Sequence, residues 1–170
     1  MHGKQFQAQD ISKSSFLIKG GAGFIGSNIV TYLMKYNAGK VIVLDNLSNG
    51  YLSNISQFIG KSNFEFIEGD ITDLDTCKKV MEGVDYISHQ AAWGLVPKSI
   101  ESPAATNLAN TIGFLNILTA AKGSAVKRII FASSYANISL AQELINYNPE
   151  FGIDEGIAIT IDWLKKKFVN

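Results

Sequence analysis

The stretch Phe16-Leu17-Ile18-Lys19-Gly20-Gly21-Ala22-Gly23-Phe24-Ile25-Gly26, followed by Val41-Ile42-Val43-Leu44-Asp45, decides how this chain is read. Three apolar residues make a short buried strand, the glycines a tight turn, and Ile25, Ile29, Tyr32 and Leu33 recur at helical spacing. Val41 to Leu44 then form a second buried strand that closes on an acid. The glycines fit Gly-x-Gly-x-x-Gly from Gly21 and Gly-x-x-Gly-x-x-Gly from Gly20. Such turns also occur in ordinary loops, and it is the series strand, turn, helix, strand, acid that gives the motif its weight. A pyrophosphate can lie on a helix N-terminus only where no Cβ blocks it, while a carboxylate at Asp45 accepts from a ribose 2′-hydroxyl and repels a 2′-phosphate. The expectation is a dinucleotide site that takes NAD in preference to NADP.

Working outward, the pattern predicts strands near 15–19, 41–45, 63–67, 84–89 and 127–133, and helices near 24–36, 75–82 and 103–122. Alternation of this kind predicts an α/β fold with a doubly wound parallel sheet, strand order 3-2-1-4-5, and a ligand across the carboxyl ends of the strands. Residues 1–14 read as a tail, 15–135 as the dinucleotide-binding domain and 136–170 as a short helical C-terminal segment. Within that segment 137–146 and 154–168 read as helices, with Lys165, Lys166 and Lys167 as a solvated helix end that suits the helix dipole. The helix at 103–122 opens with Ser102-Pro103 and carries Ile112, Leu115, Leu118 and Ala121 at spacings of three, a broad apolar face that needs cover.

A chain of 170 residues with 46% apolar and 18% charged residues supports one folded domain of ordinary size. Fifteen basic and fifteen acidic side chains cancel, so no excess field points to nucleic acid or an anionic membrane. Cys77 alone can form no intrachain disulfide and has no visible metal partner, so no metal is expected. The polar first fourteen residues lack a signal-peptide core, and the stretch from Ile112 to Ala121 is too short to span a bilayer. Cytoplasmic placement is the expectation.

With Lys19 to Gly26 followed by Asp45-Asn46-Leu47-Ser48-Asn49-Gly50, the chain resembles the NAD-dependent epimerase/dehydratase family, the extended short-chain dehydrogenase/reductases. Glu68-Gly69-Asp70-Ile71, His89-Gln90-Ala91-Ala92 and Lys127 to Ser134 strengthen the likeness, which covers about 15 to 135. Together with Trp93 to Ser99, the pattern looks most like the branch of UDP-N-acetylglucosamine 4-epimerases. The resemblance implies NAD as cofactor, with Gly20, Gly23, Phe24, Ile25 and Gly26 under the pyrophosphate and Asp45, Asn46, Leu47, Ser48, Asn49 and Gly50 around the adenosine ribose. Asp70 and Ile71 would contact the adenine, and Gln90, Ala91 and Ala92 would follow the cofactor toward the nicotinamide. Ser134 falls on the serine that hydrogen-bonds the reacting sugar hydroxyl, and a UDP-sugar would be the substrate. Read as bare residues, Asp70 could simply cap a turn, His89 could be a packed strand-end histidine, and Ser133-Ser134 a polar strand end.

The family's Tyr-x-x-x-Lys pair, which supplies the base, is absent from the segment after Ser134. The one occurrence, Tyr36 to Lys40, lies between the first helix and the second strand and reads as coincidence. Residues from about 137 resemble the extreme C-terminus of the same epimerases, so the chain reads as joined near Tyr135-Ala136 with most of the substrate-binding portion missing. It is expected to bind cofactor without turnover. The alternatives are an NAD-binding interaction module without chemistry, and an active enzyme with a relocated base such as Tyr135. Lys19 stands where the family usually has threonine; a cation there could attract pyrophosphate or, if turned inward, suffer desolvation. An edge bearing Ile129, Ile130 and Phe131, beside the Ile112, Leu115 and Leu118 stripe, points to a homo-oligomer.

Overall fold

Five short strands pair in parallel in the order β3-β2-β1-β4-β5, where β1 is Ser15–Lys19, β2 Lys40–Asp45, β3 Phe64–Glu68, β4 Tyr86–His89 and β5 Arg128–Phe131. The structure, a computed structural model, describes residues 9–94 and 96–132, all of which lie in one compact unit, Met1–Ala132. The expected C-terminal helices and Ser134 lie outside the described residues. Order and direction agree with the sequence reading.

Helix α1 (Phe24–Lys35) crosses from β1 to β2, and α2 (Leu74–Lys79) from β3 to β4. Asp73 caps α2, accepting from the N–H groups of Asp75 and Thr76. Because successive strand residues face opposite ways, the sheet builds two cores. Ile18, Val41 and Val43 pack with Val30, Leu33 and Met34 of α1 and with Ile55 and Phe58, which lie beyond β2. Leu17, Ile42, Leu44 and Ile87 pack on the other face with Cys77, Val80, Met81 and Ile117. Cys77 is therefore core, its Sγ–H donating to the Ile71 carbonyl at 3.3 Å.

Helix α3 (Val96–Glu101) precedes Ser102, and the helix expected at 103–122 is built in three parts, α4 (Pro103–Asn107), a π turn at Leu108–Ile112 and α5 (Gly113–Ala121). Sequence periodicity missed α3. The face of α5 that packs on the sheet carries Gly113 and Ile117, whereas Ile112, Leu115 and Leu118 are exposed, as are Ile130 and Phe131 of β5. Residues 11–14, placed in the tail by the sequence, are bonded to the α1–β2 turn: Gly39 N donates to Ile11 O at 3.0 Å and Lys40 N to Ser14 O at 3.1 Å.

Lys19 is turned inward. It points from the end of β1 to the same side as Leu17, is fully buried, and its Nζ has no hydrogen-bond partner among the described residues. Burial pushes its pKa down to about 8, only partly opposed by the nearby Cys77. The unfolded chain holds this proton up to about pH 10.4, so between pH 8 and 10.4 unfolding takes up protons and stability rises with pH. Below pH 8 the full penalty, roughly 3 kcal/mol by the same linkage, is present. Lys19→Met should therefore raise unfolding free energy at pH 7 by roughly 2 to 3 kcal/mol, with the gap between variant and parent closing as pH approaches 10.4. Urea melts giving a gap that is absent, or constant with pH, would contradict the buried, depressed ammonium.

Candidate functional site

The turn between β1 and α1 is closed by backbone bonds: Gly20 N donates to Leu44 O at 3.0 Å, and Gly23 N to Gly20 O at 3.1 Å. Gly20 takes φ +72°, a left-handed conformation, and a Cβ there would stand 2.7 Å from the Ala91 nitrogen. At Gly26 a Cβ would overlap the Gly20 carbonyl oxygen. Both glycines are thus required by contacts within the protein. Gly23, the N-cap of α1, offers no side-chain cap, and no acid stands in the first turn. That leaves the positive end of the helix dipole open to an outside anion.

Asp45, at the carboxyl end of β2, is 8% exposed. Its Oδ2 accepts from Ala22 N at 2.9 Å and its Oδ1 from Leu47 N at 2.8 Å. One carboxylate so ties the glycine turn to the loop leaving β2, and each oxygen keeps a lone pair for a further donor. Next to it, Asn46 Nδ2 donates to Asp70 Oδ2 at 2.8 Å, while Asp70 Oδ1 accepts from Thr72 N at 2.8 Å. Burial tends to raise the Asp70 pKa, but the bonds from Thr72 and Asn46 outweigh it and hold the carboxyl below its usual range. Asp70 does form a turn bond, the plain reading, and it does so at the rim of a cavity.

That cavity, about 450 Å³, brings together fifteen of the residues singled out from sequence. Gly20, Gly23, Phe24, Ile25 and Gly26 line one wall, and Asp45, Asn46, Ser48, Asn49 and Gly50 the next. Asp70 with Ile71 and Gln90 with Ala91 and Ala92 complete it from β3 and β4. Leu47 is outside the lining: it adopts φ +56° and its side chain packs against the core under α1. Thr72, Trp93, Ala105, Leu108 and Ala109 line the cavity as well and were not singled out as contacts. The last three come from α4 and the π turn, elements whose approach is not legible in local sequence. Asn110, in that π turn, accepts from Trp93 N at 2.8 Å and donates to Trp93 O at 3.0 Å, fixing the loop after β4.

His89 is a packed strand-end residue. It is buried, its ring is stacked on Phe114 with centroids 5.1 Å apart, and burial followed by the charge of Lys19 lowers its pKa to about 4. A neutral, enclosed imidazole of this kind is not placed for acid–base exchange with solvent. Lys40 of the Tyr36–Lys40 pair is bonded to Glu65 at 2.7 Å. Tyr36 caps the far end of α1, whose twelve residues span about 18 Å. The pair is remote from the cavity, as expected. Among the described residues no three His, Cys, Asp or Glu side chains gather to hold a metal, and no helix is long and apolar enough to cross a membrane.

The profile of the NAD dependent epimerase/dehydratase family matches residues 16–150. The chain belongs to that family. A UDP-glucose 4-epimerase of Lactobacillus helveticus is 34% identical over 130 residues, 75% of this chain and 38% of the relative. Among solved structures, the UDP-N-acetylglucosamine 4-epimerase of Methanobrevibacter ruminantium in complex with UDP-N-acetylmuramic acid is 36% identical with a TM-score of 0.66, over 72% of this chain and 38% of that one. The UDP-glucose 4-epimerase of Thermus thermophilus, in complex with NAD, is 34% identical with a TM-score of 0.63, over 71% and 37%. The chain thus spans under two fifths of the length of these family members, and its described residues form the family's NAD-binding Rossmann domain.

Proposed function

We propose that this chain binds NAD across the carboxyl ends of its strands, as the cofactor half of a nucleotide-sugar 4-epimerase acting on a UDP-hexose or UDP-N-acetylhexosamine. One observation carries the reading: the buried Asp45 carboxylate stands on the cavity wall beside the uncapped N-terminus of α1. In this reading the N-terminus of α1 holds the pyrophosphate, Asp45 accepts from the adenosine ribose, and Asp70 and Ile71 border the adenine. Gln90, Ala91 and Ala92 carry the site toward the nicotinamide, with Trp93 held behind them by Asn110. NAD, when bound, supplies a hydride acceptor. The domain runs from 15 to 135, and Ser134 at its end takes the sugar hydroxyl by resemblance. The names of the relatives support the substrate class, and the absence of a Tyr-x-x-x-Lys pair near the cavity supports binding without turnover. A second copy of the chain covers the exposed α5–β5 face, supported by Leu115 and Phe131 there, 54% and 55% exposed.

Calorimetry should find NAD bound in preference to NADP, and Asp45→Ala should weaken NAD by roughly 1 to 3 kcal/mol through loss of a charge-assisted bond. Equal or tighter NADP binding would sink the assignment. Incubated with UDP-N-acetylglucosamine and NAD, the purified chain should form no epimer by NMR, because losing a positioned acid–base pair costs about 10² to 10⁴ in rate before loss of orientation is counted. Product in proportion to enzyme, abolished by Tyr135→Phe, would instead establish a relocated base. Light scattering should give a dimer or larger species, and a stable monomer mass at high concentration would overturn the second-copy proposal.

A further inference from the structure

The loop from β3 to α2 supplies Asp70, Ile71 and Thr72 to the cavity, yet it is held from behind by a residue that does not line it. Asn116, one turn into α5, donates from Nδ2 to two successive carbonyls, Ile71 O at 3.1 Å and Thr72 O at 2.9 Å. Three residues earlier, Gly113 is buried, and a Cβ there would stand 2.7 Å from both Cδ1 and Cγ1 of Ile71. The helix therefore seats directly on Ile71 through the missing Cβ and grips two successive peptides, Ile71–Thr72 and Thr72–Asp73, by their carbonyls. Thr72 N in turn donates to Asp70 Oδ1, and Asp70 Oδ2 receives Asn46 Nδ2, both at 2.8 Å. A continuous series of contacts runs from α5 through the loop backbone to two polar side chains on the cavity wall.

We propose that Asn116 is a positioning residue for the adenine half of the site: its amide fixes the Ile71–Thr72 backbone, and through it the aim of Asp70 and Asn46. This rests on the reading of the cavity as an NAD site. Only a donor can satisfy two carbonyls at once, because both are acceptors and an uncharged amide brings no desolvated charge into the packed interface. Aspartate has nearly the shape of asparagine but presents acceptors to both carbonyls, so it reverses the interaction while preserving volume. Alanine removes the donors without repulsion.

The experiment titrates the full chain and its Asn116→Asp and Asn116→Ala variants with ADP-ribose, and with inorganic pyrophosphate as a probe of the glycine turn alone. Parent protein should bind ADP-ribose; Asn116→Asp should weaken it roughly tenfold and Asn116→Ala roughly threefold, the scale of one lost hydrogen bond. Pyrophosphate affinity should stay within twofold of the parent, because the N-terminus of α1 makes no contact with this loop in the proposal. Unchanged ADP-ribose affinity in the variants overturns the positioning role. Parallel loss of both probes overturns it too, since that pattern marks general loss of structure. If Asn116→Asp does not fold, Asn116→Ala alone decides by the same two ratios. Failure of the parent to bind ADP-ribose would refute the underlying NAD reading instead, so the two failures are distinct.

Discussion

The peptide of Ala22 is the point on which the site is assembled. Its N–H is taken by Asp45 Oδ2, and its carbonyl accepts from both Tyr51 N at 3.1 Å and Asn54 Nδ2 at 2.7 Å. Ala22 itself is fully buried, so these groups exchange no bonds with water and would be costly to leave unpaired. Turn and loop hold each other: the loop after β2 must return over the glycine turn to satisfy Ala22, and the turn must present Ala22 for the loop to close. The geometry a dinucleotide would meet is in this way set by the protein's own backbone bonds, which lowers the ordering that binding would otherwise require.

Against that organisation stands one expensive residue. The ends of β1 and β4 pair Lys19 with His89, and both side chains enter the same core layer with a polar atom lacking a partner among the described residues. Each has its pKa pushed toward the neutral form, chiefly by burial. A core in which Leu17, Ile42, Leu44, Ile87 and Ile117 are nearly inaccessible can carry such a pair, because each fully buried side chain returns about 1.5 to 3 kcal/mol. The choice raised by the sequence for Lys19, pyrophosphate or interior, is thereby decided by strand alternation: Ile18 faces α1 and its two neighbours face the opposite layer.

Much of this was legible because it is local. Strand β1, the glycine turn, α1 and β2 with Asp45 follow one another between residues 15 and 45, and their periodicities differ enough to be told apart. Strand order then followed from where such a fingerprint must sit in a doubly wound sheet. What escaped is non-local or breaks the period. Leu47 belongs to a run of cavity residues, but its left-handed backbone turns its side chain into the core. The expected strand at 84–89 starts two residues late, since Val84 closes a turn on Met81 O and Asp85 is taken by Ser15 N and Lys127. In the long helix a π turn at Leu108–Ile112 breaks an element expected to be continuous; beyond it the Ile112, Leu115, Leu118 stripe is exposed, as the expectation of an uncovered face had it, while the packed face is marked only by Gly113 and Ile117. An uninterrupted helix over 103–122 would keep 3.6 residues per turn, and a π turn does not keep that count.

The glycines of the motif serve the fold before they serve a ligand. A pyrophosphate needs room at the helix N-terminus, yet the atoms a Cβ would strike are the protein's own: Ala91 N for Gly20, Gly20 O for Gly26 and, beyond β2, the Ala22 carbonyl carbon for Gly50. Only Gly23, with a single neighbour at 3.2 Å, is a glycine whose missing side chain chiefly leaves space outside. The spacing is thus evidence first for a strand and a helix joined at closest approach, which a protein could need with no ligand at all. What turns it into evidence for a ligand is the company it keeps: an uncapped helix N-terminus, and a buried acid on the facing strand whose oxygens have bonds to spare. A chain with the same glycines and an alanine at position 45 would present the same turn pattern and lose the stronger argument for a dinucleotide.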